Sequence, residues 1–214
     1  MKDKILVFDD IIDLEYQEKI KKVLLSDDQY KGYEFPWYFT QDVTDPLNSK
    51  TQKRSAFYHG YVVSDDEIMG TIDSVFHHLL VPLIDNSCYK IGKQDVTIIK
   101  GRSFLQLPIN FKGEREDSPH VDITDDHFVM LYYVCDSDGD TIIYNEKCSD
   151  LNEFNNNLNV VEKTRFSIQR KITPKQGRVV LFNGRLYHTA EQPNHNIRCI
   201  VNYDLRDLSV DSHI

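Results

Sequence analysis

The chain has 214 residues, of which 40% are hydrophobic and 28% charged, and its formal net charge is -9. This composition is typical of a soluble globular protein, and an aromatic content of 11% excludes a disordered chain. Because phosphate contacts need lysine and arginine, the negative charge argues against a nucleic-acid partner and favours a peptide or a small molecule. No pattern in the sequence indicates an oligomeric state.

The four cysteines contain no C-x-x-C pair, and Cys135 and Cys199 lie inside apolar runs. This usage predicts free thiols in a reducing compartment, with no disulfide framework and no zinc knuckle. The N-terminus lacks an apolar targeting segment, and no apolar stretch approaches the length of a membrane span. We therefore expect a cytoplasmic protein without membrane contact.

Two helices are predicted in the first third of the chain. Asp13 can cap a helix whose apolar residues Tyr16, Ile20, Val23 and Leu24 recur at helical spacing. A second helix is predicted from the capping box of Ser64 and Glu67. Its apolar stripe contains Ile68, Ile72, Val75, Phe76 and Leu79, and Pro82 is expected to end or kink it.

Between these helices lies a turn-rich loop with an aromatic run, Phe35–Phe39. Such a run can form a platform for substrate, but it more often packs as a plug between helices and a sheet. We favour the plug.

From about residue 96 the pattern changes to short apolar runs separated by turn signals such as Asp138-Gly139 and Asn183-Gly184. The predicted strands are Val96–Lys100, Arg102–Leu107, Phe128–Cys135, Thr141–Tyr144, Phe166–Thr173, Arg178–Phe182, Tyr187–Ala190 and Ile197–Asp204.

These elements predict an α+β fold with a double-stranded β-helix core, of the jelly-roll or cupin-like type, and N-terminal helices packed outside it. We expect residues 1–214 to form a single domain, with a helical part over about 1–95 and the core over about 96–205. The Asn-rich segment 148–160 is the least regular stretch and is interpreted as an excursion between strands.

The pair His120 and Asp122 forms an H-x-D motif, which places two side chains on the same side of an extended segment. An imidazole nitrogen together with a carboxylate oxygen suits iron(II). A second histidine, His188, follows the Asn-Gly turn after an apolar strand. Ten residues later Arg198 begins the last strand; if these two strands pair through the turn at Pro193, Arg198 returns beside the metal. A buried arginine requires an anion, and a dicarboxylate matches its geometry.

The strand after the H-x-D motif contains two tyrosines on opposite faces, Tyr132 and Tyr133, so that one of them must point inward. A buried phenol requires a hydrogen-bonding partner.

The order of H-x-D, tyrosine-rich strand, Gly-Asp-Thr, Asn-Gly, distal histidine and arginine resembles the 2-oxoglutarate/iron(II) dioxygenase superfamily, and most of all its prolyl 4-hydroxylase-like branch. The resemblance covers about half of the chain, from Arg102 to Asp204. It departs from the prolyl hydroxylases between Leu107 and Ser118, where the tyrosine that they often carry is absent.

The resemblance implies that His120, Asp122 and His188 hold Fe(II), and that Arg198 binds the distal carboxylate of 2-oxoglutarate with the help of Tyr133. It further implies O2 as co-substrate, ascorbate as a candidate additional cofactor, and hydroxylation of a prolyl, peptide or small-molecule substrate with release of succinate. Two alternatives stay open, a metal-binding cupin-like module without turnover and an oxidative nucleic-acid demethylase.

The other polar residues receive simpler interpretations. His77 and His78 are predicted at a surface, and Asp125, Asp126 and His127 in a solvated loop. His59 and His195 are predicted in loops, and Asn202 either reaches the co-substrate or satisfies an interior polar group.

Overall fold

The computed structural model describes residues 4–41, 43, 54–64, 69–109, 115–148 and 166–209. Within them lie eleven strands and two α-helices. In chain order these are β1 (Leu6–Phe8), α1 (Leu14–Leu25), β2 (Tyr38–Thr40), β3 (Ala56–Val63), β4 (Thr71–Ile72), α2 (His77–Lys90), β5 (Val96–Gln106), β6 (Phe128–Tyr133), β7 (Thr141–Lys147), β8 (Ile168–Ile172), β9 (Val179–Asn183), β10 (Leu186–Ala190) and β11 (Arg198–Asp207).

The strands form two antiparallel sheets. The major sheet has the order β1-β9-β6-β11-β5-β3-β2, with β4 paired to β3, and the minor sheet has the order β10-β7-β8. This is the predicted jelly-roll type of core, and every strand predicted after residue 96 is present. The two predicted strands Val96–Lys100 and Arg102–Leu107 are one continuous strand, β5.

The strand β6 separates two hydrophobic cores. Met130 and Tyr132 belong to the core between the major sheet and the helices, where they join Ile20 of α1 and Leu79 of α2. The alternate residues Val129, Leu131 and Tyr133 belong to the core between the two sheets, with Ile143, Phe182 and Leu186. The period of two along a strand thus sends one face of β6 to the helices and the other into the sandwich. The prediction that the helices pack outside the β core is confirmed.

The first helix begins as predicted. Asp13 is its N-cap residue and accepts a hydrogen bond from the Tyr16 backbone N–H at 2.8 Å. Ile20, Val23 and Leu24 are buried against the sheet.

The second helix differs from its prediction. It begins at His77, because Thr71 and Ile72 pair with β3 instead of continuing a helix. Pro82 lies inside the helix, which runs on to Lys90. Glu67 of the predicted capping box lies outside the described residues, and so do residues 149–160 of the predicted Asn-rich segment 148–160.

The part of the chain before residue 96 also contributes four strands that its sequence did not predict. The longest of them, β3, pairs with β5 and extends the major sheet. The aromatic run acts as the predicted plug through Phe35, whose ring contacts Trp37 at 4.8 Å and Phe76 at 4.9 Å between centroids. Tyr38 and Phe39 remain exposed on β2.

All four cysteines are free and buried. They include Cys135 and Cys199, for which the apolar runs around them indicated a place in the core. Among the described residues, neither helix has the length and apolar character needed to cross a membrane.

Candidate metal centre

The H-x-D segment is tied to β10 by a pair of backbone hydrogen bonds. The N–H of His120 donates to the carbonyl of His188, and the N–H of His188 donates to the carbonyl of His120, each at 2.9 Å. These backbone hydrogen bonds hold the backbones of the two histidines side by side, which allows both imidazoles to lie close together. Their ring centroids lie 4.7 Å apart.

The three predicted ligands converge. One donor atom each from His120, Asp122 and His188 lies within 4.8 Å of the others. The Nε2 atom of His188 is 3.5 Å from Oδ2 of Asp122, and the Nε2 atom of His120 is 3.8 Å from Oδ1.

The second nitrogen of each imidazole has a fixed partner. Nδ1 of His120 contacts the carbonyl of Ser118 and Nδ1 of His188 contacts the carbonyl of Leu186, both at 3.1 Å. A carbonyl oxygen can only accept, so each Nδ1 carries a proton, and in the neutral form of each ring Nε2 keeps its lone pair for a metal. Two such nitrogens and a carboxylate are the donor set that suits octahedral iron(II) with open positions. The residues present therefore fit this metal.

Both carboxylate oxygens of Asp122 contact a neighbouring side chain. The guanidinium of Arg102 pairs with Oδ1, and the Asn202 amide donates to Oδ2 at 3.1 Å. Burial alone would raise the pKa of Asp122, but Arg102 and the two histidines outweigh it and hold the pKa well below its usual range. The carboxylate is therefore ionised and ready to bind a cation. Asn202 thus fills the predicted structural role of satisfying an interior polar group.

A second polar pocket lies around Arg198, which is 3% exposed. Its Nε donates to the carbonyl of Gly139, its Nη1 to Oε1 of Gln106 and its Nη2 to Oγ1 of Thr141. In the described part of the chain, no carboxylate forms an ion pair with it. All of these partners are neutral, so among the described residues the buried cation has no counter-ion in contact with it, and the charge of Asp117 acts on it only through space.

The hairpin predicted between the strands of His188 and Arg198 is wrong. β10 pairs with β7 in the minor sheet, whereas β11 pairs with β5 and β6 in the major sheet. Arg198 approaches the site across the sandwich instead. Its partner Thr141 lies opposite Ala190, two positions along β10 from His188, which is roughly 7 Å.

Of the two tyrosines on β6, Tyr133 is the one on the pocket side. Its hydroxyl donates to Oγ1 of Thr141 at 2.7 Å, so Thr141 accepts from both Tyr133 and Arg198. Burial raises the pKa of Tyr133 to about 12, which keeps this donor protonated. Tyr132 faces the helices, and no partner of its hydroxyl is found among the described residues.

Several polar residues of the site were not predicted. Arg102 and Gln106 occupy alternate positions of β5 and face the interior, and Asp204 does so on β11, where it is 1% exposed. His127 was predicted in a solvated loop, but its side chain is buried. Its Nε2 atom lies 3.9 Å from Oδ1 of Asp204. The available signal was the recurrence of polar residues at a period of two within otherwise apolar strands.

Two other histidines also differ from their predictions. His59 lies in β3, buried, with its ring nitrogens against the carbonyl of Pro36 and the hydroxyl of Ser74. His77 is buried and contacts the Tyr203 hydroxyl at 2.9 Å. Both are structural, while His78 and His195 are exposed as expected.

The carboxyl group of Asp204 has a raised pKa of about 7, because it is buried and faces the negative charge of Asp122. The charged groups that surround it are Asp122, Arg102, His188, Lys100 and His127.

This raised pKa predicts a pH-dependent stability. The folded state binds more protons than the unfolded state between about pH 4 and pH 7, so stability falls as pH rises through that window. We expect Asp204→Asn to raise the melting temperature of metal-free protein at pH 8 by roughly 5 °C, with the difference shrinking toward pH 5. Calorimetry at the two pH values tests this, and an equal effect at both would contradict the assignment.

No family model matches the sequence, and no curated protein matches it significantly. Solved structures do match. An oxidoreductase of the 2OG-Fe(II) oxygenase family from Burkholderia pseudomallei superposes with a TM-score of 0.65 at 11% identity, over 95% of this chain and 85% of that one. The non-heme alpha-ketoglutarate-dependent epimerase SnoN of nogalamycin biosynthesis gives a TM-score of 0.59 at 11% identity, over 95% and 78%.

A prolyl hydroxylase from Trichoplax adhaerens, solved with a peptide fragment of hypoxia inducible factor, gives a TM-score of 0.57 at 11% identity, over 99% of this chain and 87% of that one. Structural similarity at 11% sequence identity establishes the shared fold alone. The chain has the double-stranded β-helix fold of the 2-oxoglutarate/iron(II) oxygenases, and the resemblance predicted from the sequence is confirmed at that level.

Proposed function

We propose that this protein is an iron(II)- and 2-oxoglutarate-dependent oxygenase, with His120, Asp122 and His188 as the iron ligands. One observation carries the proposal: the buried Arg198 has no carboxylate partner among the described residues, and it contacts Thr141 close to the three converging metal donors. Thr141 is the register partner of Ala190, which lies two residues from His188 on β10. A metal-binding module without turnover has no use for that cation. A co-substrate that chelates the metal and ends in a second carboxylate uses both features.

In this proposal the protein binds 2-oxoglutarate at two points. Arg198 pairs with the distal carboxylate, which replaces the missing counter-ion. The Thr141 hydroxyl already accepts two hydrogen bonds, from Tyr133 and Arg198, so its own proton is directed at the ligand. The keto acid end would then lie toward the three metal ligands His120, Asp122 and His188. Tyr133 acts on the co-substrate through Thr141.

Iron bound to the three ligands would supply oxygen activation, coupled to oxidative decarboxylation of 2-oxoglutarate to succinate and carbon dioxide. The surrounding chain holds the ligands in place and excludes water from the buried side of the site. The His120 side chain is 49% exposed, so the open side of the centre lies there. O2 is the expected co-substrate, and ascorbate stays a candidate cofactor.

We propose hydroxylation of a prolyl, peptide or small-molecule substrate. Support comes from the neighbours, which include a prolyl hydroxylase solved with a peptide and an epimerase of nogalamycin biosynthesis. The same fold thus supports different reactions, and which reaction occurs depends on the groups around the exposed side of His120.

An anaerobic titration tests the iron and co-substrate site directly. Iron(II) and then 2-oxoglutarate are added, and the weak visible metal-to-ligand charge-transfer band is recorded for the wild type and for His120→Ala. We expect a band in the wild type that is absent from the variant. A folded, iron-loaded wild type without a band would contradict the proposal and favour the non-catalytic cupin-like module.

A further inference from the structure

Each carboxylate oxygen of Asp122 has, besides the histidine that it approaches, a donor from a neighbouring strand. Arg102 comes from β5 and Asn202 from β11, and these two residues are paired in the register of the sheet. Asp122 itself lies in an irregular segment, where a short side chain would otherwise rotate. Its carboxylate is thus oriented before any metal arrives.

This orientation brings an electrostatic difficulty. Arg102 is a permanent cation that touches the carboxylate intended for a divalent metal, so it competes with the metal for the same charge. Such a site binds a metal well only if a second anion can pair with the arginine once the metal binds Asp122.

Asp204 supplies that anion. It follows Asn202 by two positions on β11 and therefore projects from the same face of the strand. Its Oδ2 atom is 3.6 Å from the same Nη2 nitrogen of Arg102 that contacts Asp122. One guanidinium group thus lies between two buried carboxylates, of which Asp122 is the one that lies within 4 Å of the proposed ligands His120 and His188.

The surroundings of Asp204 do not suit a purely structural carboxylate. Neither of its oxygens finds a hydrogen-bond partner among the described residues, and Nε2 of His127 is likewise without one. Burying an ionised carboxylate without donors destabilises a fold. An asparagine or an apolar side chain would pack there at lower cost.

We infer that Arg102 and Asp204 act together as positioning residues for the metal centre: Arg102 orients Asp122, and Asp204 holds the charge of Arg102 when a metal takes over Asp122. This inference rests on the metal site of the proposed function. Asp204 does not itself ligate the metal. Asp204 thus lowers the stability of the metal-free protein and raises its affinity for the metal.

The test uses cobalt(II) as the probe, titrated anaerobically at pH 8 in competition with a chelating dye. Asp204→Asn keeps the shape of the side chain and removes its charge. We expect a loss of cobalt affinity of roughly 10-fold or more, together with a higher melting temperature of the metal-free protein. A loss of packing alone would lower both quantities, so the opposite signs identify a positioning role.

Two further variants sharpen the test. The double variant Arg102→Gln with Asp204→Asn removes both charges and is expected to recover most of the lost affinity, because no uncompensated cation remains. Asp117→Asn is the matched control: Asp117 is also buried and paired with an arginine, Arg54, but it lies outside the Arg102 cluster. Its cobalt affinity should equal that of the wild type.

Wild-type cobalt affinity in folded Asp204→Asn would overturn the inference. So would an equal loss in the single and double variants, because Asp204 would then not act through Arg102. A wild type that binds no cobalt would overturn the proposed metal site itself. That result is distinguishable, since it appears before any variant is compared.

Discussion

Replacing Arg198 by methionine is expected to abolish measurable 2-oxoglutarate binding while the affinity for the metal stays unchanged. The guanidinium is the buried cation that would meet the distal carboxylate, and removal of one partner from a buried ion pair costs about 3–5 kcal/mol. That range corresponds to an increase in Kd of roughly 100-fold or more. The fold should persist, because methionine fills similar space without the desolvation cost of a charge. The melting temperature should fall, because buried acceptors of Gly139, Gln106 and Thr141 lose their Arg198 donor.

Isothermal titration of metal-loaded protein with 2-oxoglutarate measures this effect. Arg198→Lys keeps the charge but loses the planar set of donors to Gly139, Gln106 and Thr141, so we expect an intermediate loss. Arg170→Met is a suitable control, since Arg170 is exposed and donates to the Ile5 carbonyl. Unchanged 2-oxoglutarate affinity in Arg198→Lys and Arg198→Met would remove Arg198 from the co-substrate site.

The second large effect is expected for Asp122→Asn. This change keeps the size of the side chain but removes the only anionic residue of the proposed ligand set. Iron affinity should therefore fall by more than the roughly 10-fold to 100-fold that is typical when a hydrogen-bonding partner of a metal ligand is replaced. Iron-dependent decarboxylation of 2-oxoglutarate should fall to background. The fold should persist, because Arg102 retains Asp204 as a partner.

Succinate formation and competition for iron(II) with a chelating dye measure the two quantities. Asp125→Asn provides the control, since Asp125 lies three residues along the same segment and pairs with Arg206 at the surface. Substantial turnover by folded Asp122→Asn would mean that the metal is held by a different set of residues.

The β core was predictable because its strands are apolar, short and separated by clear turn signals. Each strand after residue 96 lies within a few residues of its prediction. The strands before residue 96 were missed for a physical reason. β3 contains Gly60 and His59 and receives its apolar environment from β5 and from Phe35, both distant in sequence, so its own pattern is weak.

The convergence of His120, Asp122 and His188 was predictable from the order of the motifs, and the inward position of one β6 tyrosine from strand alternation. The contacts of Arg198 were not, since they come from β5 and the β6–β7 connection in the fold. Arg102, Asp204 and His127 form one cluster only after three separate segments meet. A sequence shows each of them as an ordinary polar residue.

The buried thiols have a consequence for the durability of the protein. Burial raises the pKa of Cys88 to about 11 and also raises the pKa values of Cys135 and Cys199, so these sulfurs remain in the slowly oxidised thiol form. If the proposed iron centre released peroxide, the sulfur oxidised first among the described residues would be that of Met69, which is 68% exposed, and the buried sulfurs would be spared.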